Sequence, residues 1–235
     1  MPHWTAPKMW EGGECWVIGG GPSMAVEFGI PKDVVAGVLS EELSISSYSP
    51  FLSPIHDKHV IGVNAAFLLG SWIDVVFFGD GGFYFLNKVK LDKYPKVKVT
   101  CNPNMRNKHN VHDVKYIDRD NRHLMGLSTD PRYLSWNLNS GAAAINLAYH
   151  FGVKTVYLLG FDMQVGEEGY QHWHRLYQKI PGKPRRDPKQ YPFERHLKSF
   201  PMIANDAKRL GLEIINVSPN SRIENFKRVK LSDVL

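Results

Sequence analysis

Seven short apolar runs recur along the chain, at Cys15–Ile18, Val60–Val63, Ile73–Phe78, Val97–Cys101, Val114–Ile117, Thr155–Leu159 and Glu213–Val217. Most are continuous rather than alternating, and a strand that is apolar on both sides needs cover on both sides. That requirement selects a largely parallel sheet between two helical layers. The segment Ser140–Phe151 supplies a helix, with Ala143, Leu147, Ala148 and Phe151 at helical spacing, Ser140 as N-cap and Gly152 as stop. A second amphipathic stretch, Phe193–Leu210, runs through Gly211 into Glu213–Val217, so the order helix, glycine, strand repeats.

This alternation predicts an α/β, Rossmann-like, doubly wound and mainly parallel sheet with helices on both faces and an inserted lid. A chain of 235 residues buries enough surface to do so as one domain, 1–235, without staples. Two regions fall outside the layered pattern. Residues 29–58 are rich in Ser and Pro and read as a long loop or small excursion. Residues 163–195 gather Tyr170, His172, Trp173, His174, Tyr177, Arg185 and Arg186 among several prolines, the composition of a lid that closes over a ligand.

Cys15 and Cys101 sit in separate strand-like runs with no metal-type spacing, which argues against a disulfide framework and a structural zinc site and for a reducing, cytoplasmic compartment. The start, Met-Pro-His-Trp-Thr-Ala-Pro-Lys, lacks the basic and apolar regions of a secretory signal. The apolar stretch Val60–Gly79 is broken by Gly62, Asn64, Gly70, Ser71 and Asp74 and reads as strand, short helix and strand of a soluble core, not as a transmembrane segment. The first 87 residues carry 3 Lys/Arg against 9 Asp/Glu, while the rest carry 26 against 14. A basic C-terminal part favours an anionic partner: a nucleotide, an acidic glycan or a membrane surface, with a peripheral place at the inner membrane face as a further expectation. No nucleic-acid-binding signature is present, and an oligomer is left open.

The run Cys15–Ile18 opens abruptly onto Gly19-Gly20-Gly21-Pro22-Ser23. Glycines let backbone N–H groups approach an anion, and Pro22 suits the first turn of a helix whose remaining N–H groups would aim at the same point. Only half of G-x-G-x-x-G is matched, since Met24 replaces the third glycine. In a parallel sheet, ligands bind beyond the carboxyl ends of the strands. The residues there are Gly19–Ser23, Asn64, Gly79-Asp80, Gly160-Phe161-Asp162 and Ser218-Pro219-Asn220-Ser221, with Asn139-Ser140-Gly141 opening the main helix. All are also ordinary turn and cap residues, but six such clusters on one rim make a site the better reading.

These segments resemble the bacterial lipooligosaccharide sialyltransferases of glycosyltransferase family 42. Val-Ile-Gly-Gly-Gly-Pro-Ser is similar to their opening turn, Val-Ile-Gly-Val-Asn64 to a second strand ending in a nucleotide-contacting Asn, and Asn139-Ser140-Gly141 to the Ser-Gly pair of their central helix. Tyr-Leu-Leu-Gly-Phe-Asp162 resembles their Gly-Ile-Asp strand end, and Ser-Pro-Asn-Ser221 their Cys-Pro-Asn-Ser segment. The resemblance implies a CMP-sugar donor, no required metal or other cofactor, and His196 as general base on an acceptor hydroxyl. Charge on the departing phosphate would be met by Gly19–Ser23 and by lid donors among Tyr170, His172, His174, Tyr177, Arg185 and Arg186.

The same segments also resemble the archaeal hydroxymethylpterin diphosphokinases, which implies ATP, with Mg²⁺ on Asp80 or Asp162. Asp80 stands where the sialyltransferases carry Asn, which favours a metal there. A non-catalytic nucleotide-binding protein is the third reading.

Overall fold

The computed structural model describes residues 2–106, 108, 111, 113–166, 169–176 and 192–235. The strands are β1 Glu14–Ile18, β2 Val60–Val63, β3 Val75–Phe78, β4 Val97–Thr100, β5 Val114–Tyr116, β6 Asp118–Arg119, β7 Tyr133–Leu134, β8 Thr155–Leu159, β9 Glu213–Asn216 and β10 Lys227–Arg228. Eight of them form one sheet in the order β10-β9-β8-β1-β2-β3-β4-β5, every neighbouring pair parallel. All seven apolar runs are in it. Strands β6 and β7 make a separate short pair.

The helices are α1 Ser23–Glu27, α2 Lys32–Ser40, α3 Gly81–Asp92, α4 Ser140–His150, α5 Phe193–Leu197 and α6 Phe200–Leu210. Alternate strand residues face two different layers. Cys15, Val17, Ile61, Val63, Val156, Leu158 and Ile214 pack with α4 and α6, while Trp16, Ile18, Val60, Val76, Phe78 and Leu159 pack with α1, α2 and α3. Helix α4 lies deepest, with Gly141 to Ala148 all buried, so its sequence is mostly small or apolar, and the one polar side chain there, Asn146, accepts from the Ser128 and Ser135 N–H groups.

From β1 the chain steps outward through β2, β3, β4 and β5, then returns to place β8 on the other side of β1 and continues outward to β9 and β10. The loop after β1 therefore leaves toward one layer and the loop after β8 toward the other. Their divergence opens a crevice at the carboxyl ends of β1 and β8, the switch point where such sheets bind ligands.

Three local expectations are corrected. The N-cap of α4 is Asn139, whose Oδ1 accepts from the N–H groups of Gly141 and Ala142, and not Ser140. Residues 29–58 are no open loop: they hold α2 and a 3-10 coil, Ile45–Ile55, that buries Tyr48, Leu52 and Ile55. Pro50 and Pro54 remove helix donors and keep that coil from becoming an α-helix, but its apolar spacing is helical. The stretch Phe193–Leu210 is two helices rather than one, interrupted before Pro201.

Candidate functional site

Gly19 to Ser23 cross directly over Gly160 to Asp162. The Gly19 N–H donates to the Leu159 carbonyl and the Gly21 N–H to the Gly160 carbonyl, both at 2.8 Å, and the Ser23 N–H donates to Asp162 Oδ2 at 3.2 Å. A Cβ on Gly19 would lie 2.6 Å from the Gly160 oxygen, and one on Gly21 would overlap the Asp162 carboxylate. The glycines therefore serve the crossing of two loops as well as any ligand. Gly160 itself has φ of 71°, the left-handed turn that brings Asp162 beneath the glycine turn.

Three of the turn's N–H groups, those of Gly19, Gly21 and Ser23, are therefore engaged within the protein. Burial pushes the Asp162 carboxyl above the usual carboxylate range, opposed by its bonds from the Ser23 hydroxyl and N–H. A carboxylate there would repel a second anion beside the first turn of α1, and the Gly20 side of the turn is the one away from that charge.

His172 occupies that side. Its Nδ1 lies 3.3 Å from the Gly20 carbonyl oxygen, which can only accept, so Nδ1 carries the proton. Trp173 anchors the segment by donating from Nε1 to the Gly19 carbonyl at 2.9 Å and from its N–H to the Gly20 carbonyl at 3.1 Å, while its own carbonyl accepts from Tyr48 Oη. The His172 and His174 rings are stacked at 5.2 Å with planes 3° apart. His174 is buried, and burial first and the charge of His172 second hold its pKa well below the ordinary imidazole value. Tyr170 accepts from Arg175 Nη2 at 3.1 Å. Residues 169–176, the described start of the expected lid, are thus docked on the glycine turn; Tyr177, Arg185 and Arg186 lie outside the described residues.

The other strand tips surround the same edge. Asn64 ends β2, next to β1, with φ of 52°, and its Oδ1 is buried with no hydrogen-bond partner among the described residues. Asn139 has both bonds of its Oδ1 directed into α4, and its Nδ2 is likewise buried and unpaired. The Phe161 ring fills the space between Gly19 and Gly141, joining the β8 loop to the start of α4. A Cβ on Gly79 would overlap the Trp136 ring and lie 3.0 Å from Ser140 Oγ, so β3 also ends against that helix. Asp80 is exposed and caps α3 through a 2.8 Å bond from the Gly82 N–H.

On the far flank, Ser218 Oγ pairs with Ser23 Oγ at 2.8 Å, and Ser221 Oγ donates to the Phe161 carbonyl at 2.6 Å while accepting from the Ile223 N–H. Asn220 is exposed and accepts at its carbonyl from Gln164. Ser218 and Ser221 are therefore braces that hold the β9 loop against the β1 and β8 loops. His196 lies half-buried on α5, its Nε2 3.4 Å from Arg195 Nη2. What ties α5 to the site is the Glu194–Arg222 ion pair at 2.6 Å, since Arg222 also donates its N–H to the Asp162 carbonyl.

Asp80 and Asp162 follow β3 and β8, which are separated in the sheet by β1 and β2, so the two carboxyls belong to different strand tips. Among the described residues no group of three or more His, Cys, Asp or Glu side chains is placed to hold a metal. Burial raises both thiols, Cys101 to about 11, and leaves them protonated.

Two features of the rim were not anticipated. Arg119 stacks its guanidinium 4.1 Å from the Trp136 ring centre and donates from Nε to the Cys101 carbonyl, which puts a cation near the start of α4. Asn137 and Leu138, both left-handed with φ of 56° and 55°, turn the chain into α4. Asn137 sustains that strain by accepting from the Gly126 N–H and donating to the carbonyls of Gly126 and Ser135. An Asn-Leu-Asn-Ser run ahead of an alanine-rich helix was the available signal.

No protein-family model matches the chain, and no curated protein matches it. Among solved structures, sialyltransferase CstII from Campylobacter jejuni in complex with cytidine-5'-monophosphate aligns over 94% of this chain and 86% of that one, at 15% identity and a TM-score of 0.51. The same enzyme with CMP-3FNeuAc gives 93%, 86%, 16% and 0.52. The fold is shared with a sialyltransferase. At this identity the likeness to CstII concerns architecture: a mainly parallel α/β sheet aligned over nearly the whole chain. Among the described residues no helix is long and apolar enough to cross a membrane.

Proposed function

We propose that the chain is a nucleotide-dependent transferase of the sialyltransferase type, using a CMP-activated acidic sugar and acting in the cytoplasm as a single domain whose residues 163–195 close over the donor. One observation carries this reading. At the switch point, one strand from the glycine turn, Asn64 presents a buried acceptor that has no partner among the described residues, and a buried polar atom left unpaired costs about 1–3 kcal/mol unless something binds it. A nucleotide whose base or ribose donates to Asn64, with its phosphate at Gly20 and His172, meets that need. The CMP-bound neighbours of the same architecture support the choice of nucleotide.

In this reading the acceptor hydroxyl oxygen attacks the anomeric carbon of the donor, and the bond to the phosphate oxygen breaks with its electron pair staying on CMP. His196 takes the hydroxyl proton. The departing phosphate is met by Gly20 and by donors of residues 163–195, and Ser140 with Asn139 Nδ2 at the start of α4 receives the acidic group of the sugar. No metal enters the step.

Thermal shift with CMP, CDP, UDP, GDP, AMP and ATP, each with and without Mg²⁺, tests the proposal. Stabilisation by CMP without metal is expected. Stabilisation only by ATP with Mg²⁺ would transfer the site to diphosphate chemistry, and no response to any nucleotide would leave a non-catalytic scaffold.

A further inference from the structure

Helix α3 is apolar on two opposite faces. Its inner face buries Phe83, Tyr84 and Leu91 in the core. On the other side Phe85, Leu86 and Val89 are 41%, 53% and 70% exposed, and with Gly82 they follow a helical repeat that puts them on one stripe turned to solvent. A helix that is apolar on both sides is one that is covered on both sides.

The charges beside the stripe indicate what covers it. Lys90 is exposed along one edge and Lys93 continues the stripe one turn past Val89, Lys88 flanks the other edge, and Lys96, beyond the helix, lies 3.5 Å from Asp74 Oδ1. Of the acidic groups beside these lysines, Asp92 is held by Lys88 and by Tyr84 Oη and Asp74 by Lys96, which leaves Lys90 and Lys93 as the charges that face outward with the stripe. A second copy of the chain would bring the same lysine-edged stripe and set like charge against like. An anionic bilayer accepts both halves of the pattern, taking Phe85, Leu86 and Val89 below the headgroups and the lysines among the phosphates.

We propose that this face of α3 is a docking surface for an anionic phospholipid bilayer, on which the protein lies with the stripe inserted. The helix is capped by Asp80, on the carboxyl edge of the sheet, so the docked membrane stands beside the mouth of the crevice. An acceptor anchored in that bilayer is then delivered to the site; this consequence alone rests on the transferase reading.

Flotation of the full chain with vesicles of three parts phosphatidylcholine to one part phosphatidylglycerol, against phosphatidylcholine alone, tests the surface. The chain is expected to float with the anionic vesicles only and to be released by salt near about 1 M. Leu86→Gln with Val89→Gln, both at exposed positions, is expected to abolish flotation with the melting temperature unchanged. Lys90→Gln and Lys93→Gln each weaken it about five-fold, the equivalent of about 1 kcal/mol per lysine. Failure of the natural chain to float, or undiminished flotation of the Leu86/Val89 variant, overturns the proposal. So does a concentration-dependent dimer in vesicle-free buffer that the same variant dissociates, since a second copy then covers the stripe. The CMP thermal shift, read on the same preparations, fails or succeeds independently and separates this proposal from the transferase reading.

Discussion

Gly21→Ala measures how tightly the site's two loops are crossed. The added Cβ would overlap the Asp162 carboxylate and lie 2.7 Å from the Gly160 carbonyl oxygen, a backbone atom that cannot rotate away. Overpacking of this kind costs about 1–3 kcal/mol. Driving the carboxylate aside also breaks its bond from the Ser23 N–H, a hydrogen bond to a charged group that contributes about 1.5–3 kcal/mol. The expected loss is about 3–5 kcal/mol, which for a chain of this size lowers the melting temperature by about 10 °C. Urea unfolding should show the midpoint falling with the slope unchanged. Because Asp162 causes much of the conflict, Gly21→Ala in an Asp162→Ala background should cost at least about 1.5 kcal/mol less than in the natural chain. Effects that add within about 0.5 kcal/mol would refute the crossing as described. Gly20→Ala is the contrast: the atoms nearest its Cβ belong to the His172 side chain, 2.6 Å at Nδ1, rather than to backbone, so stability should change by less than in Gly21→Ala.

Removing the Trp173 indole N–H, in Trp173→Phe, leaves the Gly19 carbonyl without its donor and should cost about 1–3 kcal/mol; limited proteolysis should then cut residues 169–176 faster, and unchanged cleavage would show that the indole does not anchor them. His150 and His174 are both held below the ordinary imidazole pKa, chiefly by burial, so the unfolded chain binds their protons first. Stability should be full above about pH 6.5 and fall as pH drops toward the folded values, by up to about 1.4 kcal/mol per pH unit for each histidine. His150→Gln should flatten that slope in urea titrations from pH 7 to 5, and an unaltered slope would exclude His150 as a contributor. If the proposed transferase reading holds, His196→Ala should slow sialyl transfer from CMP-sugar by about 10²-fold while the CMP thermal shift persists; an unaffected rate would remove His196 as the base.

The strands were legible because continuous apolar runs have one economical solution, and β2 and β8 match their runs residue for residue. Helix α4 was legible for the same reason, although its cap was misplaced by one residue because Asn139 and Ser140 are both competent caps. Residues 45–55 were not legible, since Ser and Pro signal turns locally while the burial of Tyr48, Leu52 and Ile55 depends on a sheet face supplied from elsewhere in the chain. The rule that ligands sit beyond strand ends picked out residues that do line one edge of the sheet, but not what each does there. Ser221 looks like a ligand contact in the sequence and is a brace in the structure.

The amino-acid order alone determined that the chain forms a parallel α/β sheet, where its strands stop to within one residue and which small polar residues follow them, because burial on two faces and turn chemistry are local demands. Tertiary structure decided which strand tips are neighbours. Placing β8 beside β1 sets Asp162 under Gly21, seats His172 against Gly20, and leaves the buried Asn64 Oδ1 without a partner among the described residues. Those outcomes depend on contacts between residues about 140 positions apart, and no local pattern encodes such contacts.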